Sequence, residues 1–102
     1  MTAGPMSGKT QYFRRRWEEN RGDEHSDWGC SLWLFEVDAD LNVLRQIEVY
    51  DSGVCLKYSQ THAEDKFGCL AEKPLDDGDW APYETGKEVF ELVWSTTKAV
   101  NG

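Results

Sequence analysis

Three carboxylates within four residues, Asp76, Asp77 and Asp79, stand directly before Trp80. Close carboxylates can hold a hard cation, share a proton in acid–base work, or give a basic partner a charged rim around an aromatic anchor. The structural alternative is a solvated loop with Trp80 tucked onto the core. No histidine lies close in the sequence and no second acidic cluster is forced near, so partner binding is the preferred functional use. Asp38, Asp40 and Asn42 imitate the opening of a calcium loop. An EF-hand needs glycine at its sixth position and glutamate at its twelfth, where this chain has Val43 and Val49. Turn capping by short polar side chains accounts for these residues, and Asp38 and Asp40 join the partner-binding set.

His25 and His62, with Cys30, Cys55 and Cys69, have the side chains for a zinc site or a thiol–histidine pair. Their separations, five residues from His25 to Cys30 and seven from His62 to Cys69, match no compact ligand motif. Three cysteines without a C-x-x-C spacing argue for reduced thiols and a cytoplasmic protein rather than a disulfide framework. No metal or other cofactor is implied. Arg14, Arg15 and Arg16, flanked by Phe13 and Trp17, carry the charge and stacking surface that single-stranded nucleic acid needs. Strand alternation splits them between two faces, which prevents a broad basic patch and favours pairing with the chain's own carboxylates. Arg15, on the face of Trp17, either extends past it to a carboxylate or joins Trp17 and Trp33 in lining an aromatic-walled ligand pocket. Gly8-Lys9-Thr10 suggests a phosphate loop, but Ala3 occupies the place of its first glycine and no strand precedes it. Arg21-Gly22-Asp23 matches an adhesion tripeptide by chance, since no export signal leads the chain.

These residues must be positioned by one small domain. The chain has 102 residues and a formal net charge of −8. Basic residues outnumber acidic ones five to two over 1–21, whereas 22–102 holds six basic and seventeen acidic residues. A mostly acidic surface repels phosphate backbones and attracts basic partners. Five Trp, four Tyr and four Phe supply large apolar areas despite the polar average. No apolar run is long enough for a membrane span. Residues 1–10 are small and polar and read as a disordered lead, and 11–102 as the domain.

Period-two patterns place strands over 11–18, 30–37, 43–50 and 54–59. The second has both faces apolar, with Leu32 and Leu34 opposite Trp33, Phe35 and Val37, so it should be central and covered on each side. In the third, Val43, Arg45, Ile47 and Val49 share one face. Asp51-Ser52-Gly53 reads as the hairpin turn into the fourth. The irregular stretch 60–83 is a covering loop or a site. A capping box at Thr85 and Glu88 opens a C-terminal helix that Asn101-Gly102 would end. Val89, Phe90, Val93, Trp94, Thr97 and Val100 would lie against the sheet. The expected fold is α+β, a four-stranded antiparallel meander with this helix across one face.

Tyr12, Phe13, Arg16 and Trp17, then Glu36, Asp38 and Asp40, then Arg45, Ile47, Glu48, Val49, Tyr50 and Gly53 follow one another in a set order. Leu70, Glu72, Pro74 and Leu75 come next, and Phe90, Glu91 and Trp94 close the series. With this order and spacing the chain resembles a family of small bacterial proteins of unknown function, over roughly residues 11–95. Arg15 replaces an apolar residue of that pattern, and the loop over 19–29 is longer than its typical first loop. The resemblance implies the same small α+β fold and assigns no activity. In size and acidity such proteins are similar to the immunity proteins encoded beside bacterial toxins.

The sequence therefore reads first as a non-enzymatic acidic binding protein with a basic protein partner, an immunity protein masking a basic toxin site being its specific form. Asp76, Asp77, Asp79 and Trp80 would carry the contact, helped by Asp38 and Asp40. The alternatives are a small-ligand or single-stranded nucleic-acid module built on Arg15, Trp17 and Trp33, and a metal-assisted enzyme on the acidic loop.

Overall fold

The computed structural model describes residues 10–101; apart from Thr10, the expected disordered lead and the glycine-lysine pair of the phosphate-loop pattern lie outside these residues. Strands β1 (Gln11–Trp17), β2 (Ser31–Val37), β3 (Val43–Tyr50) and β4 (Cys55–Ser59) form the expected antiparallel meander. A two-residue pair, β5 (Glu64–Asp65) and β6 (Gly68–Cys69), makes a small hairpin of its own. The main sheet has five strands rather than four. The added strand β7 (Glu84–Thr85) pairs with Tyr12 and Phe13 of β1, giving the order β4-β3-β2-β1-β7. Two residues are too few to show a period, so pattern could not reveal this strand.

Side chains align in cross-strand rows that alternate between the two faces. On one face lie Arg16·Leu32·Val49·Cys55, Arg14·Leu34·Ile47·Lys57 and Tyr12·Glu36·Arg45·Ser59. On the other lie Trp17·Ser31·Tyr50, Arg15·Trp33·Glu48·Leu56 and Phe13·Phe35·Gln46·Tyr58. The register slips between Glu36 and Val37, where Arg45 is opposite the first and Val43 opposite the second. The extra residue turns Val43 into the cluster of Phe13, Phe35 and Val37. Val43 thus leaves the face of Ile47, on which unbroken alternation had placed it. The turn at Asp51-Ser52-Gly53 forms as read. Gly53 has φ +98 and its N–H donates to the Tyr50 carbonyl at 2.8 Å.

The C-terminal helix (Lys87–Thr96) covers the first face. Phe90, fully buried, packs with Tyr12, Leu34, Ile47 and Cys55, and Val89, Val93 and Trp94 flank it. Its start differs from the expected capping box. Thr85 is spent on β7, and Gly86 caps without a side-chain bond. The helix also ends earlier than expected, with Thr97 as its C-cap. Val100 is 57% exposed rather than packed, and its N–H donates to the Cys55 carbonyl. Asn101 then bonds both main-chain groups of Lys57 and the carboxylate of Asp65. The tail is drawn off the helix because it satisfies the open edge of β4.

The second face is covered by irregular chain. Leu70, Ala71, Leu75 and Trp80 pack over Phe13 and Phe35, while Trp28 and Phe67 close over Tyr50, Leu56 and Tyr58. The stretch 60–83 is thus a covering loop, with a short helix (Asp77–Trp80) inside it. No helix among the described residues is long and apolar enough to cross a membrane.

Candidate functional site

At one end of the second face, two turns carry the carboxylates singled out from the sequence. Asp38 folds its own loop, with Oδ1 accepting from the N–H groups of Asp40 and Asn42 at 2.9 and 3.0 Å. These bonds hold its carboxyl below the ordinary range. Asp76 does the same for the short helix, accepting from Gly78 and Asp79. The turns are joined where the Leu75 N–H donates to the carbonyl of Leu41, a residue at φ +68. Asp40 and Asp77 point into solvent and take no side-chain partner among the described residues. Trp80 is half-buried, edge-on to Phe35 at 5.2 Å between ring centroids. Among the described residues no three His, Cys, Asp or Glu side chains gather where they could hold a metal ion.

The two residue sets read separately from the sequence meet at Arg15. Its guanidinium bonds Asp79 at 3.0 Å and lies over the rings of Trp17, Trp80 and Tyr83 at 5.2, 5.0 and 4.5 Å. The side chain thus extends past Trp17 to a carboxylate, and its charge is already engaged. Arg16 is similarly held by Glu18 and by both oxygens of Asp51, whereas Arg14 stands exposed. Beside Arg15, the rings of Trp17, Trp33, Phe35 and Trp80 line an apolar slot of about 160 Å³.

Trp17 and Trp33 also form the wall of a larger, polar pocket of about 330 Å³. Glu48 and Tyr50 of β3 line it, the loop after β1 supplies Arg21, and the hairpin loop supplies Phe67. The Glu48 side chain is only 5% exposed. Its oxygens accept from the Tyr50 hydroxyl at 2.6 Å and from Gln46 Nε2 at 2.8 Å. Burial pushes the Glu48 carboxyl up, against the lowering effect of those donors. Burial likewise raises the Tyr50 phenol. Gln46 in turn accepts from the Ala71 N–H and donates to the Cys69 carbonyl, tying the covering loop to the sheet.

Of the residues the sequence suggests for an aromatic-walled ligand pocket, Trp17 and Trp33 line this one, whereas Arg15 is turned to Asp79 and is not in the lining. Alternation did put Gln46, Glu48 and Tyr50 on one face of β3. In the fold that face lies beside Trp33 and Phe35 of the neighbouring strand, a pairing that alternation within a single strand does not give. Arg21 and Phe67 come from stretches without periodicity, and only the folded loops bring them in.

The remaining candidates are dispersed. His25 stacks on Trp28 at 4.3 Å, and His62 bonds Asp65 at 2.8 Å. Cys55 is buried under the helix, Cys30 is half-buried, and Cys69 is exposed; all three are free thiols. No protein-family model, curated protein or solved structure matches the chain.

The raised Glu48 carboxyl has a definite effect on stability. Between its unfolded value of about 4.3 and its higher folded value, the folded state binds more protons than the unfolded one. Stability attributable to Glu48 should therefore fall as pH rises through that window. Urea midpoints of the wild type and Glu48→Gln across the window check this. The difference between them should shift in favour of the variant as pH rises, and a constant difference would contradict the burial effect.

Proposed function

We propose that this protein is a small acidic binding protein whose carboxylate-bearing end engages a basic protein partner, and that it belongs with the small bacterial proteins it resembles. The observation that carries the reading is the junction of the Asp38–Asn42 loop with the Asp76–Asp79 turn through Leu41 and Leu75. It sets the Asp38–Asn42 loop against the Asp76 turn, from which the short helix carries Asp77 and Asp79 to the half-buried ring of Trp80. Asp38 and Asp76 hold the turns rigid, and Asp79 is steadied by Arg15. Asp40 and Asp77 are left to meet an incoming cation. A preorganised acidic rim around an aromatic residue suits a basic surface, and the net charge of −8 steers such a partner in. An immunity-type role, masking the basic active site of a toxin, is the specific form that fits this chemistry.

Affinity capture from the native host tests the reading, with the product of a neighbouring gene as the first named partner. The wild type should retain a basic protein at low salt and release it as salt rises. Asp40→Lys/Asp77→Lys should bind it at least about tenfold more weakly, chiefly through slower association. Retention of no basic protein, or equal retention by the double variant, would sink the proposal.

A further inference from the structure

We infer that the pocket between Trp17, Trp33 and Glu48 is a binding site for an alkylammonium group, carried either by a small organic amine or by a lysine side chain. The inference is independent of the acidic end, which uses different residues. Its basis is unused acceptor capacity beside aromatic faces. An ionised carboxylate offers about four acceptor positions. Tyr50 and Gln46 fill two on Glu48, and Arg21 Nη1, at 3.9 Å from Oε1, is too distant to fill another. Glu48 nevertheless lines a pocket of about 330 Å³, which is room for a small ligand.

The sign of the ligand follows from the groups that are already committed. Arg21 is the one basic residue of the lining, and each of its nitrogens already makes a bond. Nε bonds Asp23, Nη1 donates to the Tyr50 hydroxyl, and Nη2 donates to the Phe67 carbonyl. It lies over Trp28, so it acts as a wall and offers little to an anion. Glu19 and Glu48 leave the lining with excess negative charge. Trp17 and Trp33 line the pocket, and indole rings attract cations, quaternary ammonium groups being recognised by such aromatic walls. A guanidinium is less well suited, because its planar fork needs a bidentate carboxylate edge that Tyr50 and Gln46 already restrict. An ammonium ion beside Glu48 would favour its ionised form, opposing the upward push of burial on this carboxyl.

Tryptophan fluorescence or NMR titration at ~0.15 M salt, where charges beyond about 8 Å are screened, tests the site. The probes are n-butylammonium, choline, the neutral isostere of choline in which carbon replaces nitrogen, and Nα-acetyl-lysine methylamide. Choline or butylammonium should saturate the signal in the ~1–10 mM range expected of so small a ligand. The neutral isostere should bind about tenfold more weakly, as should butylammonium to Glu48→Gln and choline to Trp17→Leu. Tighter binding of the lysine derivative than of the free amines assigns the group to a protein side chain, and the reverse order assigns it to a free amine. Asp40→Lys/Asp77→Lys should leave these affinities unchanged, which separates this site from the acidic end. Absence of saturation, equal binding of the isostere, or full affinity in folded Glu48→Gln would overturn the inference.

Discussion

Arg45→Ala is expected to cost the fold about 3 kcal/mol, the lower end of what breaking a buried charge network costs. Arg45 reaches across from β3 to Glu36 of β2, with Nε and Nη2 bonding the two carboxylate oxygens at 2.7 and 2.8 Å. The same guanidinium bonds both oxygens of Glu91 on the helix and lies 4.8 Å from the rings of Phe90 and Trp94. Tyr12 donates to Glu36 from β1, and burial together with that carboxylate pushes its phenol up to about 12. One side chain therefore links three strands to the helix. Its loss strands Glu36, 13% exposed, with only the Tyr12 hydroxyl, whereas Glu91, 40% exposed, can rehydrate. That asymmetry places the cost near the bottom of the range. Urea denaturation should show a lower midpoint at unchanged slope, with Tm falling roughly 12–24 °C. Pairing the change with Glu36→Leu should recover much of the loss by removing the stranded charge. Arg45 holds the Glu36 carboxyl below its ordinary range. The network's contribution is therefore complete above the unfolded value of about 4.3 and fades as pH falls through the folded one. A loss under about 1 kcal/mol would mean that the network behaves as a surface ion pair.

The Arg45 network also marks the boundary of what the chain discloses by pattern. Tyr12, Glu36, Arg45, Phe90, Glu91 and Trp94 all belong to the series on which the family resemblance rests, and they converge in space. Alternation fixed which residues of β1, β2 and β3 share a face, and the 3.6-residue period fixed the buried side of the helix. Neither period speaks about chain that follows no repeat. β7 has two residues, and the bulge that turns Val43 is a single insertion. The tail beyond Thr96 obeys the unpaired edge of β4 rather than its own helical pattern. The same limit applies to the candidate sites. Turn chemistry correctly explained Asp38, because an Asx turn is local. The meeting of Arg15 with Asp79, 64 positions apart, and of Arg21 with Phe67, 46 apart, depends on where irregular loops come to rest.

Phe90→Ala should destabilise the protein by about 3–5 kcal/mol, whereas Leu92→Ala, two residues along the same helix, should stay within about 0.5 kcal/mol of wild type. Both positions are apolar and both sit in the helix interior, so composition and propensity do not separate them. Burial does: Phe90 is 0% exposed and Leu92 is 63% exposed. Phe90 packs 5.5 Å from Tyr12 and 5.9 Å from Trp94 between ring centroids, over Leu34, Ile47 and Cys55. Its removal leaves a void that Trp94 cannot fill without leaving Arg45. The helix itself has no side-chain N-cap bond and only ten residues, too few to be stable without the sheet beneath it. Its attachment should therefore depend on Phe90 and the neighbouring Arg45–Glu91 bonds together. Because the two sites touch, Phe90→Ala and Arg45→Ala should combine to less than their sum, since the first already loosens the helix on which the second acts. Full additivity in urea titrations would mean that the helix stays docked after either change, and that its attachment is spread along its length rather than centred on this cluster.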